Sequence, residues 1–140
     1  MALVLLSEGS PVPLASRVEV AASRRARRRG LLGRQRLDAS TALMLVPCVA
    51  VHTAFMQFPI DVIFINRDGR AVHIVSHMQP WRVAMSTAAH AVIELAAGSL
   101  DRRDVRVGDR VRIVQVGRGA RDFDEIEVEK VTECLEARAS

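Results

Sequence analysis

The segment from Pro47 to Asp61 holds the side chains best suited to chemistry. His52 and Asp61 lie nine residues apart in it, with a proline turn between them. A carboxylate beside a histidine can orient the imidazole as a general base or as a metal ligand. Cys48 and Met56 flank His52 and could add soft donor atoms. These residues predict a polar pocket near His52 and Asp61 that binds a small ligand or a metal ion.

Two carboxylates fall inside apolar runs. Asp61 lies in Ile60–Ile65, a run with apolar residues on both faces, which predicts a strand buried on both sides. A buried carboxylate needs a partner, and His52 or an arginine is the expected one. The alternative is a structural network in which Asp61 only fixes a turn. Glu94, inside another apolar run, raises the same question and joins the candidate pocket.

A second pair of histidines has the spacing HxxxH. His73 and His77 would share one face of a helix, but the surrounding residues predict a strand. Four residues of strand span roughly 13 Å, too far for two ligands of one ion. We therefore expect no metal site at this pair.

A basic cluster offers a different class of function. Its five arginines are Arg24, Arg25, Arg27, Arg28 and Arg29. On one helix they could neutralise nucleic-acid phosphates, but no aromatic residue is interleaved to stack on bases. The alternative without a binding function is a solvent-exposed basic face that packs against the acidic stretch 122–136. The second hypothesis is thus a macromolecular interaction module that uses this helix or the acidic tail, and the third is a structural scaffold without a catalytic role.

Composition restricts the classes further. The chain has 140 residues, is 49% hydrophobic and carries a net charge of +4, which fits one globular domain. No apolar run approaches the roughly 20 residues of a membrane-spanning helix, and the short apolar start does not resemble a secretory leader. Cys48 and Cys134 form no CxxC pair, and P-loop, GxSxG and HExxH motifs are absent. We expect a cytoplasmic protein without a membrane partner, for which nucleic acid is a less favoured partner than a small ligand.

The residues that could do chemistry must be positioned by short strands. Ser23 is a candidate cap for a short helix through Arg29, with Gly30 as its stop. Asn66–Gly69 carries turn residues and predicts a hairpin between its two flanking apolar runs. One helical turn is expected at 99–104 and a tight turn at Gly108-Asp109. The predicted strands cover residues 2–6, 17–20, 41–46, 60–65, 71–76, 91–95 and 110–116.

This succession of short strands predicts a mainly β (α+β) fold. We expect a single antiparallel barrel-like or sandwich-like domain with one or two short helices over residues 1–116. Residues 117–140 are expected to form a charged C-terminal extension with a helix in its last dozen residues.

Several motifs occur in the order of a known family. They include Arg29–Gly33 (RGLLG), Val51–Thr53 followed by Met56, and Pro59–Val62. Over about residues 15–115 the chain resembles the uncharacterised domain-of-unknown-function family 192. The resemblance implies a bacterial or archaeal β domain of barrel or sandwich type, and it leaves the function open. The positions carried over by match to the motif are His52, Met56, Pro59, Asp61, Glu94 and Gly98.

This chain departs from the family pattern at one position. Relatives commonly carry Phe-Gly before the methionine, where this chain has Ala54-Phe55. A glycine there would permit a positive φ, so Phe55 puts a shared pocket at that position in doubt.

Overall fold

Strands dominate the described part of the chain. The computed structural model describes residues 2–7, 13–101, 105–116 and 123–126. Its elements are β1 Ala2–Ser7, β2 Arg17–Ala21, α1 Arg24–Arg29, β3 Thr41–Leu45, β4 Ala50–His52, β5 Ile60–Ile65, β6 Ala71–Met78, β7 Val83–Met85, β8 Ala91–Ala96, β9 Val111–Val116 and β10 Phe123–Ile126. The mainly β class and the short helix are therefore confirmed.

The strands form three sheets among the described residues. A five-stranded sheet has the order β2-β3-β8-β5-β6, a second sheet has the order β1-β9-β10, and β4 pairs with β7 in a two-stranded ribbon. All pairs are antiparallel except β2 with β3, which is parallel. The exception follows from the chain path, because α1 and the turn after it carry the chain back before β3 begins.

The five-stranded sheet separates two apolar clusters. On one face, Met44, Ile63 and Leu95 pack with Val111 and Ile113 of β9. On the other face, Leu43, Val62 and Phe64 pack with residues from the α1 region and from the β4–β7 ribbon, including Leu31, Val51 and Met56. All six residues of β5 are buried, which confirms that this strand is covered on both sides.

The predicted hairpin is present. β5 and β6 pair antiparallel around Asn66–Gly69, and the Asn66 side chain accepts hydrogen bonds from the backbone N–H groups of Asp68 and Arg70 at 3.0 and 2.9 Å. Gly69 has φ of +83°, as its place in the turn requires. The hairpin fixes the register of β5, the central strand that carries Asp61.

Other predictions fall partly outside the described residues. The part of the expected turn at 99–104 that is described is a hydrogen-bonded turn, in which Asp101 N–H donates to the Gly98 carbonyl at 3.2 Å. Phe123–Ile126, within the extension, forms a strand on β9. The helix expected in the last dozen residues lies outside the described part of the chain, and the division at residue 116 stays a prediction.

Candidate functional site

Helix α1 is positioned by its two ends. The Ser23 hydroxyl accepts a hydrogen bond from the Ala26 N–H at 3.0 Å, which is the N-cap contact expected from the sequence. At the other end, the Gly30 N–H donates to the Ala26 carbonyl at 2.9 Å, and Gly30 has φ of +45°. The helix therefore stops after Arg29, and the chain turns back so that Leu31 enters the core.

A cavity lies between α1 and the β3–β4 region. Its volume is about 290 Å³, at the small end of the roughly 300–1,000 Å³ typical of ligand pockets. Apolar residues of the Leu31 turn, β3 and β4 form much of its wall. Its polar and sulfur-containing lining comes from Arg24, Arg27, Cys48, His52, Met56 and Glu94.

Four of the five residues predicted for the pocket meet at this cavity. They are Cys48, His52, Met56 and Glu94, which come from two separate parts of the sequence. Met56 is buried and packs in the apolar cluster, whereas His52 is exposed on β4. The fifth predicted residue, Asp61, does not line the cavity.

Glu94 is the unusual group of this cavity. Its side chain is only 5% exposed, and its Oε2 atom has no hydrogen-bond partner among the described residues. Burial raises the pKa of the Glu94 carboxyl to about 7, while the nearby Arg34 guanidinium acts in the opposite direction. Arg34 is engaged elsewhere, because it forms an ion pair of 2.7 Å with Glu19. Near neutral pH, Glu94 therefore exchanges a proton readily and can either donate or accept a hydrogen bond.

Cys48 is a free thiol at the edge of the same cavity. Its Sγ donates to the Ala50 carbonyl at 3.1 Å, and burial raises the pKa of the thiol above its ordinary value. A thiol held in its protonated form is a weak nucleophile and a weak metal ligand. In its protonated form, Cys48 therefore contributes a small, weakly polar surface to the cavity.

The expected pairing of Asp61 with His52 or with an arginine is wrong. Asp61 is fully buried, but its two carboxylate oxygens accept hydrogen bonds from backbone N–H groups, of His77 at 2.8 Å and of Leu100 at 2.9 Å. These bonds fix the end of β6 and the turn after β8. Asp61 is thus satisfied by the backbone, and it corresponds to the structural network named as the alternative.

Register explains why Asp61 and Glu94 do not share a pocket. Asp61 stands opposite Leu95, whereas Glu94 stands opposite Val62. Directly opposed residues project from the same face of a sheet, and successive residues project from opposite faces. The two carboxylates therefore point to different faces, and the predicted pocket near His52 and Asp61 is centred on Glu94 instead.

The HxxxH pair lies on a strand, as predicted. His73 packs its ring against Phe64 with the centroids 5.3 Å apart, while the ring of His77 contacts Asp101 at 2.7 Å. Each histidine thus has its own contact. Among the described residues, no group of three or more His, Cys, Asp or Glu side chains could hold a metal ion.

Two aromatic residues next to the β4–β7 ribbon are exposed on the surface. Phe55 and Trp81 are 73% and 60% exposed, and their ring centroids lie 4.6 Å apart. Both have positive φ, at +64° and +66°. The fully buried Thr53 holds both turns, because its carbonyl accepts hydrogen bonds from the N–H groups of Met56 and Trp81 at 3.2 and 3.0 Å. Phe55 thus adopts the left-handed conformation that a glycine at this position would adopt more easily.

No helix of the described part has the length and apolar character needed to cross a membrane.

The sequence comparisons identify the family. The family model DUF192, described as "Uncharacterized ACR", matches residues 5–113. The chain belongs to the DUF192 family. This membership confirms the resemblance seen in the motifs, and no functionally curated protein is significantly similar in sequence.

Two solved structures share the fold of this DUF192 protein. One is a protein of unknown function from Novosphingobium aromaticivorans DSM 12444, with a TM-score of 0.68 and 20% identity, covering 79% of this chain and 83% of that one. The other, from Sinorhizobium meliloti 1021, is described as a proposed transcription regulator, with a TM-score of 0.67 and 22% identity, covering 79% of this chain and 91% of that one. At these identities the likeness concerns the fold alone.

Several features of this DUF192 chain were missed from the sequence. Arg24 and Arg27 belong to the cavity wall, although the sequence analysis considered them only as a surface for nucleic-acid phosphates or as a solvated face. The RGLLG motif was the available signal, since Gly30 and Leu31 line the same cavity. No sequence signal pointed to the Phe55–Trp81 pair, because its contact depends on the turns held by Thr53.

Proposed function

We propose that this DUF192 domain binds a small polar molecule in the cavity between α1 and β4, and that the molecule donates a hydrogen bond to Glu94. The unpaired Oε2 atom of Glu94 carries the proposal. A buried polar atom without a partner costs free energy, and an unsatisfied buried group in a native structure calls for an explanation. A ligand with a hydroxyl or amino group would supply the missing partner.

The other cavity residues support binding of an organic molecule. Leu31, Leu45 and Met56 offer apolar contact, while His52 and the Arg24 and Arg27 guanidiniums offer polar contact. An apolar wall with a few convergent polar groups is the usual character of a small-molecule site. A proton-exchanging Glu94 would also suit general acid or base chemistry on a bound molecule.

A metal ion is the less favoured ligand. Of the cavity residues, Cys48 is held as a neutral thiol and His52 is exposed on β4. The described residues do not group three candidate ligands around one point. We therefore do not extend the proposal to a metal ion.

Nucleic-acid binding is also less favoured. The similar structure described as a proposed transcription regulator shares only 22% identity, which supports no transfer of function. Arg24 and Arg27 turn toward the cavity lining, which leaves fewer arginines of α1 for a phosphate backbone. Binding to short RNA that weakens steeply with salt would favour this alternative.

We also propose a bacterial, cytoplasmic location. Both similar structures come from bacteria, and Cys48 is a free thiol, which suits a reducing compartment. Detection of the native protein in a cytoplasmic fraction would test this proposal.

The test of ligand binding is an NMR screen of the ¹⁵N-labelled protein against a library of a few hundred small polar metabolites and fragments. Hits are expected to shift amides of α1, β4 and β8, and their affinity should fall at least tenfold in Glu94→Leu. A ligand at 100 times its Kd should also raise the free energy of unfolding by about 2.7 kcal/mol. Asp68→Asn, which removes an exposed acid far from the cavity, is the matched control.

Two results would contradict the proposal. One is the absence of any hit that perturbs the cavity amides in a folded, stable protein. The other is a set of hits whose affinity is the same in the parent, in Glu94→Leu and in the conservative variant Glu94→Gln.

A further inference from the structure

The cavity has two chemically different ends. Glu94 lies on β8 in the centre of the five-stranded sheet, whereas Arg24 and Arg27 belong to α1 at the other side of the cavity. The two arginines are three residues apart, so both lie on the same face of the helix. A hydrogen-bond acceptor thus stands at one end and a pair of guanidiniums at the other.

Among the described residues, no acid forms an ion pair with either of the two arginines. Arg24 makes no ion pair with any described residue, and the first turn of α1 holds no acidic residue. Arg27 donates through one nitrogen to the Ala22 carbonyl, which anchors the guanidinium. Of the described residues that line the cavity, Glu94 is the acidic one.

No ion pair joins Glu94 to these arginines in the described part of the chain. The charge of Arg34, from the turn after α1, lowers the pKa of Glu94. The other titratable groups in the lining are Cys48 and His52, while the residues opposite Glu94 on the neighbouring strands are Leu43 and Val62. Within the described part of the chain, no acidic side chain therefore balances the positive charge of the two guanidiniums at the cavity.

We infer that the ligand of this cavity is a small organic anion, a carboxylate or a phosphate ester, whose anionic group binds Arg24 and Arg27 while a hydroxyl or amino group on the same molecule reaches Glu94. This inference rests on the proposed function and adds the class of the ligand. Guanidiniums bind carboxylates and phosphates through charge-assisted, often bidentate, hydrogen bonds. A cavity of about 290 Å³ limits the molecule to the size of a small metabolite.

The test uses matched compounds and titration calorimetry with the full chain. The probes are 2-hydroxy carboxylates with their amides, and sugar phosphates with their unphosphorylated sugars. We expect each anion of the class that binds to do so at least tenfold more tightly than its neutral counterpart. Preference for the carboxylate or the phosphate series would identify which anionic group the ligand carries.

Substitutions on α1 test the contribution of the two cavity arginines to binding. Arg24→Gln is expected to weaken binding of the anion 10- to 100-fold, the equivalent of about 1.4–2.7 kcal/mol, because a charge-assisted hydrogen bond is lost. Arg27→Gln should act in the same direction, with its thermal stability measured because the bond to Ala22 is also lost. Arg25→Gln removes the same charge from an exposed residue of α1 that does not line the cavity, and it should leave the affinity unchanged.

The outcomes distinguish this inference from the proposed function. If neutral counterparts bind as tightly as the anions, and binding still depends on Glu94, the inference is overturned and the proposed function stands. Equal losses in Arg24→Gln and Arg25→Gln would likewise overturn it, because the effect would then be one of net charge. If no compound of either series binds, and the library screen also gives no cavity hit, both fail.

Discussion

Asp61 and Glu94 lie on the neighbouring strands β5 and β8, one residue out of direct opposition, and their carboxyl groups project from opposite faces of the sheet. Asp61 accepts hydrogen bonds from two backbone N–H groups, whereas one oxygen of Glu94 has no partner among the described residues. Both are buried, so burial alone does not separate them. The two carboxyl groups differ in their hydrogen bonding. This difference assigns a structural role to Asp61 and leaves Glu94 available to a ligand.

Asp61→Asn is expected to destabilise the protein. The amide retains one acceptor oxygen, but its NH₂ group must face the N–H of either His77 or Leu100, so one buried donor loses its acceptor. Leaving such a group unsatisfied costs about 1–3 kcal/mol. Urea unfolding measures the difference, with Asp68→Asn as an exposed control expected to stay within about 0.5 kcal/mol of the parent. Equal stabilities of the two variants would remove the structural role of Asp61.

Stability should depend on pH through Glu94. The folded protein holds the Glu94 pKa at about 7, above its ordinary value of 4.5, so between these pH values the folded state binds a proton that the unfolded state has released. The resulting stabilisation is fully present below pH 4.5 and is lost as the pH rises through 7, for a total of about 3 kcal/mol. Glu94→Gln removes this contribution.

The measurement is the free energy of unfolding of the parent minus that of Glu94→Gln, from pH 4.5 to pH 8. This difference should fall by about 3 kcal/mol over the range, because the contributions of other groups cancel. Asp68→Asn removes an equal charge at an exposed position. The free energy of unfolding of the parent minus that of Asp68→Asn is expected to change little with pH over this range. A flat difference for Glu94→Gln would show that the carboxyl titrates normally.

Much of the fold could be predicted because local signals agreed with it. Ser23 and Gly30 bracket α1 as their capping preferences indicate, and the turn residues of Asn66–Gly69 define the hairpin. The continuous apolar run Ile60–Ile65 predicted a strand covered on both faces. For the helix and the hairpin, the relevant interactions lie within a few residues along the chain, and for β5 the signal is the apolar character of the run itself.

The site could be predicted only in part, because its geometry depends on sheet register. The sequence analysis grouped Cys48, His52, Met56, Asp61 and Glu94 in one candidate pocket. All of them except Asp61 line one cavity. A shift of one residue moves a side chain to the other face of a sheet, and register between β5 and β8 is not visible in a single sequence. The polar atoms that satisfy Asp61 are backbone N–H groups, which carry no sequence signature.

Thr53→Val is expected to loosen the turns that carry Phe55 and Trp81. The Thr53 hydroxyl donates to the Gln79 carbonyl at 2.6 Å and accepts from the Arg82 N–H at 2.9 Å. Replacing this buried hydroxyl with a methyl group leaves both partners unsatisfied, at a cost of about 1–3 kcal/mol. The fluorescence of Trp81, the single tryptophan of the chain, should shift toward that of a fully solvated indole.

Thr87→Val provides the control for this substitution, because Thr87 is an exposed threonine in the turn after β7. We expect its fluorescence and stability to match the parent. An unchanged Trp81 signal in Thr53→Val would mean that the aromatic pair does not depend on the Thr53 hydroxyl.

His77 should titrate above its ordinary range. The hydrogen bond from its ring to Asp101 raises the pKa of His77, with the charge of Asp101 acting in the same direction. Any stability that this exposed pair contributes is present below the unfolded pKa and is lost as the pH rises through the folded pKa. Asp101→Asn is expected to lower the His77 pKa measured by NMR, without moving the ring resonances of His73. No change in the His77 titration would contradict the observed pair.

The backbone at Phe55 should prefer glycine to alanine. Phe55 has φ of +64°, a conformation that costs residues with a Cβ about 1 kcal/mol and costs glycine almost nothing. Phe55→Ala and Phe55→Gly both lose the contact with Trp81, so their comparison isolates the backbone term. We expect Phe55→Gly to be the more stable by about 1 kcal/mol in thermal or urea unfolding. Val83 is equally exposed but lies in strand β7. There the alanine variant should instead be more stable than the glycine variant by about 0.5–1 kcal/mol. The same order at both positions would show that Phe55 is not strained, whereas opposite orders would show that the fold holds this aromatic side chain at the surface against the preference of its own backbone.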